Sequence, residues 1–169
     1  MSEKLWLTAI KQKMSGMMIN SVLFVCLGNI CRSPTAEAIF REKARRRGLS
    51  VIADSAGTAG WHLGKAPYEP MQTTAAEFGY DLSPLRARQI VQKDFSNFDL
   101  IIAMDQQNLL YLKTLTLRAN TAHLRLMGAY ISAGSPPDIP DPYYTRDFVG
   151  ALKIIEQAID NMLSAQWPK

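Results

Sequence analysis

The stretch "SVLFVCLGNICRSPTAEAIF", residues 21–40, decides how the rest of the chain is read. Its first five residues form an apolar, β-branched run of the kind that fills a strand buried on both faces. After Ser33 the pattern changes to helical spacing, with Ala36, Ile39, Phe40 and Ala44 on one face. Pro34 suits the first helical position, where its missing N–H costs nothing. Gly48 suits the stop, and Arg45–Arg47 suit the negative helix end. Between strand and helix lies a short loop, Cys26 to Ser33, whose N–H groups can turn inward beside the positive end of a helix and form an anion-binding nest. Gly28 relieves crowding in that turn.

The chain outward from this stretch repeats the alternation. A second strand is expected in "SVIADSAG" and a short helix over 69–79. A third strand is expected in "FDLIIAM" (98–104), then a helix from Asp105 to Leu115 and a shorter strand in "AHLRLM" (122–127). The proline-rich loop "SAGSPPDIPDPYYT" precedes a last helix from Arg146 to Leu163, with Phe148, Leu152, Ile155, Ile159 and Leu163 on one stripe. Strands alternating with helices imply an α/β domain with a parallel sheet, whose ligands sit at the carboxyl ends of the strands. Residues 26–33, 55–66, 105 and the proline-rich loop all fall at such ends.

Composition narrows the function. At 169 residues the chain is long enough for one domain with a sizeable core. A formal charge of +4 favours anionic substrates but is too small to argue for nucleic acid. Two cysteines fit a reducing cytoplasm better than a disulfide scaffold. With only two histidines, His62 and His123, there is no second pair to complete a zinc site. Both histidines read as ordinary surface or loop residues. The apolar run Leu5–Ile10 is too short for a signal-peptide core or a membrane span. Residues 1–20 therefore read as an N-terminal extension, either a frayed terminus or a short amphipathic anchor. The "REKARRRG" run reads as a solvated helix face.

The loop itself excludes two nucleotide motifs. A Walker loop needs Gly-x4-Gly-Lys-Ser/Thr, and the dinucleotide fingerprint is also missing. Instead the loop begins with Cys26 and carries Arg32 six positions later. Inward N–H groups and a guanidinium favour a thiolate at Cys26. The planar fork of Arg32 suits two phosphate oxygens. Such an arrangement offers a nucleophile at the floor of an oxyanion cradle, ready to attack a phosphate monoester.

On these residues the sequence resembles the low-molecular-weight protein tyrosine phosphatases: Cys-x5-Arg-Ser with Gly-Asn inside, extended as "CLGNICRSPTAEA". "DSAGTAGW", "ARQI", "FDLIIAMD" and "DPYY" follow in family order. The resemblance covers residues 21–169. It implies a flavodoxin-like, doubly wound domain of about four parallel strands with helices on both faces. It also implies hydrolysis of phosphotyrosine in proteins through a phosphocysteine, with neither metal nor cofactor, by a mostly monomeric enzyme away from membranes. Inorganic phosphate or sulfate would occupy the loop.

Roles follow residue by residue. Cys26 is the implied nucleophile and Arg32 the phosphate clamp. Asp141 is the implied general acid, preferred over Asp138 because it alone precedes "PYY"; in isolation Asp141-Pro142 reads simply as a turn. Leu27, Gly28, Asn29, Ile30 and Cys31 supply the rest of the cradle, and Asn29 is expected to fix it through neighbours such as Ser55. Ser33 has two compatible readings, helix N-cap and hydroxyl donor to the Cys26 sulfur. Asp105 reads either as a plain N-cap or as an orienter of Arg32. Trp61, Tyr143 and Tyr144 would wall a deep slot for a phosphotyrosine ring. Cys31 is either a small buried apolar residue or, as the resemblance implies, the partner that captures oxidised Cys26.

One departure stands out: the family often has a histidine near the position of Leu85, within "SPLRARQ". Among rivals, arsenate reduction needs further cysteines, and none lies outside the loop. Arginine-phosphate hydrolysis goes with relatives that carry threonine where Ile30 stands. A non-catalytic phosphate-binding module would be expected to lack Cys26 or Asp141.

Overall fold

The apolar run forms β1 (Ser21–Cys26), buried along its whole length at the centre of the sheet. In this computed structural model, residues 18–116, 121–132 and 134–168 are described. The other strands are β2 (Ile52–Gly57), β3 (Leu100–Ala103) and β4 (His123–Leu126), in the order β2-β1-β3-β4. All pairings are parallel: Val22 stands opposite Ala53 on one side and Leu100 on the other, and Leu100 opposite His123. The domain is thus α/β with a four-stranded, wholly parallel sheet.

Strand alternation divides the core in two. Val22, Phe24, Leu100 and Ile102 face one side, against α1 (Arg32–Arg46), α2 (Glu69–Glu77) and α6 (Phe148–Gln166). Leu23, Val25, Ile101 and Ala103 face the other, against Phe95 of α3 (Asp94–Asn97) and Leu112 of α4 (Gln106–Leu115). Phe40 of α1 is fully buried, with its ring centroid 5.7 Å from that of Phe24 and 5.6 Å from that of Trp167. Phe40→Ala should lower stability by about 3–5 kcal/mol, as large-to-small core changes do. Chemical denaturation reads this directly; an unchanged midpoint would mean that Phe40 does not anchor α1.

Helix boundaries differ from the sequence reading in physical ways. α1 begins at Arg32, so Pro34 is not its first residue, and Ser33 is not its N-cap. Cys31 holds the cap position without a side-chain cap, and the Ser33 hydroxyl is turned toward the Cys26 sulfur. The helix stops as expected: Gly48 has φ +68°, and the N–H groups of Gly48 and Leu49 bond back to Arg45 and Ala44. α6 begins at Phe148 rather than Arg146. Arg146 is left-handed (φ +62°), and the Asp147 carboxylate caps the helix by accepting from the Gly150 N–H at 2.8 Å. α3, four residues long, has too few turns to show periodicity and was not expected.

Of the expected extension, residues 1–17 lie outside the described residues. Ile19 is buried, and its carbonyl accepts from the Trp167 indole at 3.3 Å. The N–H groups of Asn20 and Ser21 both donate to Asp99 Oδ2. No described helix is long and apolar enough to cross a membrane.

Candidate active site

At the carboxyl end of β1 the sheet ladder continues into the loop. Thr58 N–H donates to the Cys26 carbonyl and Ala59 N–H to the Leu27 carbonyl, both at 2.9 Å. Gly57 is needed here: a Cβ would fall 2.7 Å from the Leu27 carbonyl oxygen. The loop then closes on Asn29, left-handed at φ 56°, a conformation asparagine tolerates better than most residues. Asn29 N–H donates to Cys26 Sγ at 3.3 Å, and Ser33 Oγ lies 3.0 Å from the same sulfur. The Asn29 amide donates to Ser33 Oγ (2.8 Å) and Ser55 Oγ (2.9 Å), and its oxygen accepts from Arg88 N–H (2.9 Å). The network around Asn29 is therefore closed despite Leu85, because a backbone N–H meets the Asn29 oxygen.

Arg32 is 3% exposed. Its Nη1 donates to Asp105 Oδ2 (2.7 Å) and to the Ile139 carbonyl (2.9 Å), and its Nη2 to Asp141 Oδ2 (3.2 Å). Burial opposes its charge, but Cys26, Asp141 and Asp105 outweigh burial and raise its pKa above the ordinary arginine value. The Nε is buried with no hydrogen-bond partner, and the N–H groups of Gly28, Ile30 and Cys31 find no acceptor among the described residues. These donors lie on the loop leading into the N-terminus of α1 and on its first residue, a setting that suits an oxyanion. Burial first, then the nearby Cys26 and Asp141, push the Cys31 thiol well above the usual range. Cys31 is thus a neutral thiol. Both cysteines are free.

A cavity of about 250 Å³ opens over the loop. Cys26, Leu27, Gly28, Ile30, Cys31 and Arg32 form its floor, and Trp61, Asp141, Tyr143 and Tyr144 stand around it. Trp61 is 68% exposed, far more than packing would leave it. The wall is braced by aromatic contacts. Tyr143 lies 5.3 Å from Tyr68 and 5.4 Å from Tyr144, ring to ring, and the Arg146 guanidinium sits over Tyr68. Asn29 and Ser33 do not line the cavity. They stand beneath it, with their polar atoms spent on each other, on Cys26 and Ser55, and on the Arg88 N–H.

Asp141 accepts from Arg32 and, through Oδ1, from Tyr143 N–H, capping the short helix α5 (Pro142–Thr145). Asp138 is elsewhere, accepting from Gln106 N–H. Both readings of Asp105 hold together, since Oδ2 meets Arg32 and Oδ1 caps α4 at Asn108 N–H. His62, read from the sequence as an ordinary loop residue, instead joins the cavity wall. A Cβ on Gly28 would meet its ring at 3.0 Å. Its place directly after Trp61 was the one available signal. Among the described residues, no three His, Cys, Asp or Glu side chains are grouped to hold a metal ion.

Comparison with known proteins agrees along almost the whole chain. The family described as "Low molecular weight phosphotyrosine protein phosphatase" matches residues 21–167. The low molecular weight protein-tyrosine-phosphatase YfkJ of Bacillus subtilis is 43% identical over 147 residues, 86% of this chain and 94% of that protein. The YfkJ crystal structure superposes with a TM-score of 0.80, covering 89% of this chain and 95% of that one. A low molecular weight protein-tyrosine-phosphatase of Streptomyces coelicolor is 44% identical over 151 residues, 85% of this chain and 92% of its own. The structure of DARP, a Drosophila arginine phosphatase, is 34% identical with a TM-score of 0.80, covering 87% of this chain and 96% of that one. The chain belongs to the low molecular weight phosphotyrosine protein phosphatase family.

Proposed function

We propose that this chain hydrolyses phosphotyrosine monoesters in proteins through a phosphocysteine. One observation carries the reading: Cys26, Arg32 and Asp141 line one cavity together with Trp61, Tyr143 and Tyr144. The loop N–H groups and Arg32 hold the phosphoryl oxygens, so the sulfur meets phosphorus from the floor. As the S–P bond forms, the P–O bond to the tyrosine breaks on the opposite side, and Asp141 gives its proton to the leaving oxygen. Asp141, now a carboxylate, takes a proton from the water that attacks the phosphocysteine. The Ser33 hydroxyl, 3.0 Å from Sγ, donates to the sulfur as it leaves. The products are tyrosine and inorganic phosphate, and no redox or metal step is needed.

The aromatic walls set the depth. A phosphotyrosine ring spans from the mouth to the floor, whereas phosphoserine leaves its phosphorus short of the sulfur. Arginine phosphate is the second reading, favoured by the DARP similarity; Ile30, apolar on the cavity floor, favours the aryl ester. The wider reading is a cytoplasmic, monomeric enzyme comprising residues 21–169, with residues 1–20 appended and with protein substrates rather than nucleic acid or membranes as partners. A panel of phosphotyrosine, phosphoarginine and phosphoserine peptides, with and without EDTA, tests the assignment. The expected result is phosphotyrosine turnover far above the others and indifferent to EDTA; phosphoarginine preference or loss with EDTA contradicts it.

A further inference from the structure

Glu37 is a buried carboxylate: it lies on α1 directly behind the loop and is 2% exposed. Its Oε2 accepts from the Ser55 hydroxyl at 2.6 Å, and its Oε1 pairs with Arg41 Nη2 at 2.7 Å. Arg41, half exposed one turn later, also donates Nε and Nη2 to the Ala53 carbonyl of β2. A buried carboxylate of this kind persists only when paired and hydrogen-bonded.

The hydrogen-bond chain from Glu37 has one direction. Arg88 N–H fixes the Asn29 oxygen, so the Asn29 nitrogen gives one hydrogen to Ser55 and the other to Ser33. Each serine oxygen thus receives a hydrogen and must send its own elsewhere. That of Ser55 goes to Glu37. That of Ser33 goes to Cys26 Sγ at 3.0 Å, with the Ala56 carbonyl more distant at 3.4 Å. An ionised carboxylate accepts without donating, which makes it the terminus this direction requires. Protonation of Glu37 weakens this terminus on either oxygen: a proton on Oε2 faces Ser55 and takes away its acceptor, and a proton on Oε1 leaves Oε2 a neutral, weaker acceptor, so Asn29 and the loop loosen.

We propose that Glu37 is a positioning residue for the loop, and that Arg41 keeps it ionised so that the Ser55–Asn29–Ser33 chain points its last hydrogen at Cys26. This rests on the phosphatase reading above. Leu85, apolar and packed on the core, offers no charge here, so Arg41 is the principal countercharge. Burial pushes the Glu37 carboxyl up and Asp54 adds to this; Ser55, Arg41 and Arg88 pull it down without fully compensating. Removing Arg41 therefore raises it further, and loop order is then lost at a higher pH as pH falls.

The test is the pH profile of kcat on a small aryl phosphate, with inorganic phosphate affinity and thermal midpoint measured alongside. Arg41→Gln should move the acidic limb upward by about one pH unit, and Arg41→Lys should restore part of the shift. In Glu37→Gln, adding Arg41→Gln should change the profile no further, since the titrating group is gone. A wild-type profile in Arg41→Gln, or a change confined to the thermal midpoint, overturns the proposal. Absence of aryl phosphate turnover by the wild-type chain overturns the phosphatase reading and this inference with it.

Discussion

Cys26→Ser is expected to abolish turnover of aryl phosphates while leaving inorganic phosphate binding close to that of the wild type. The anion is held by groups the substitution does not touch: the loop N–H groups and the buried Arg32, itself fixed by Asp105 and the Ile139 carbonyl. On the proposed mechanism the sulfur supplies the bond to phosphorus. A serine hydroxyl in its place stays protonated and makes a far weaker nucleophile. Loss of a nucleophile in other hydrolases costs roughly 10⁶ in kcat, and a fall of that order is expected here. Steady-state assays with calorimetric phosphate titration check both halves. Substantial residual turnover would remove Cys26 from the chemistry, and lost phosphate binding would mean that the loop depends on the sulfur for its shape.

Asp141→Asn should slow phosphotyrosine hydrolysis by about 10²–10⁴, the usual contribution of general acid catalysis. A substrate with a very acidic leaving phenol should suffer far less, because that phenoxide departs without a proton. The substitution is structurally mild. Asparagine can still accept from Tyr143 N–H and cap α5, while Arg32 keeps Asp105 and the Ile139 carbonyl. The two substrates therefore separate chemistry from positioning. Equal losses on both would assign Asp141 to holding Arg32 or the loop rather than to proton transfer.

The strand–loop–helix of residues 21–46 was legible because each part has its own local signature: a continuous apolar run, a Gly-Asn turn, helical spacing and a glycine stop. The long-range arrangement of the site was not. Nothing local says that the Ser33 hydroxyl turns down toward sulfur rather than capping the helix, or that the helix starts at Arg32. Asp105 looked ambiguous only because one-dimensional reading assigns a side chain one partner; its two oxygens serve two. His62 joins the cavity because the loop after β2 folds back over Gly28. Glu37 looks solvated within "TAEAIFREK" until β2 brings Ser55 against it, and Arg88 reaches Asn29 from 59 residues away.

The most direct measurement is rapid acid quenching of a reaction with an aryl phosphate, followed by mass spectrometry of the digested protein. A phosphoryl group on the peptide bearing Cys26, absent without substrate and decaying as phosphate appears, is the predicted result. Phosphate on no residue or on another one, with hydrolysis undiminished after alkylation of Cys26, would contradict it.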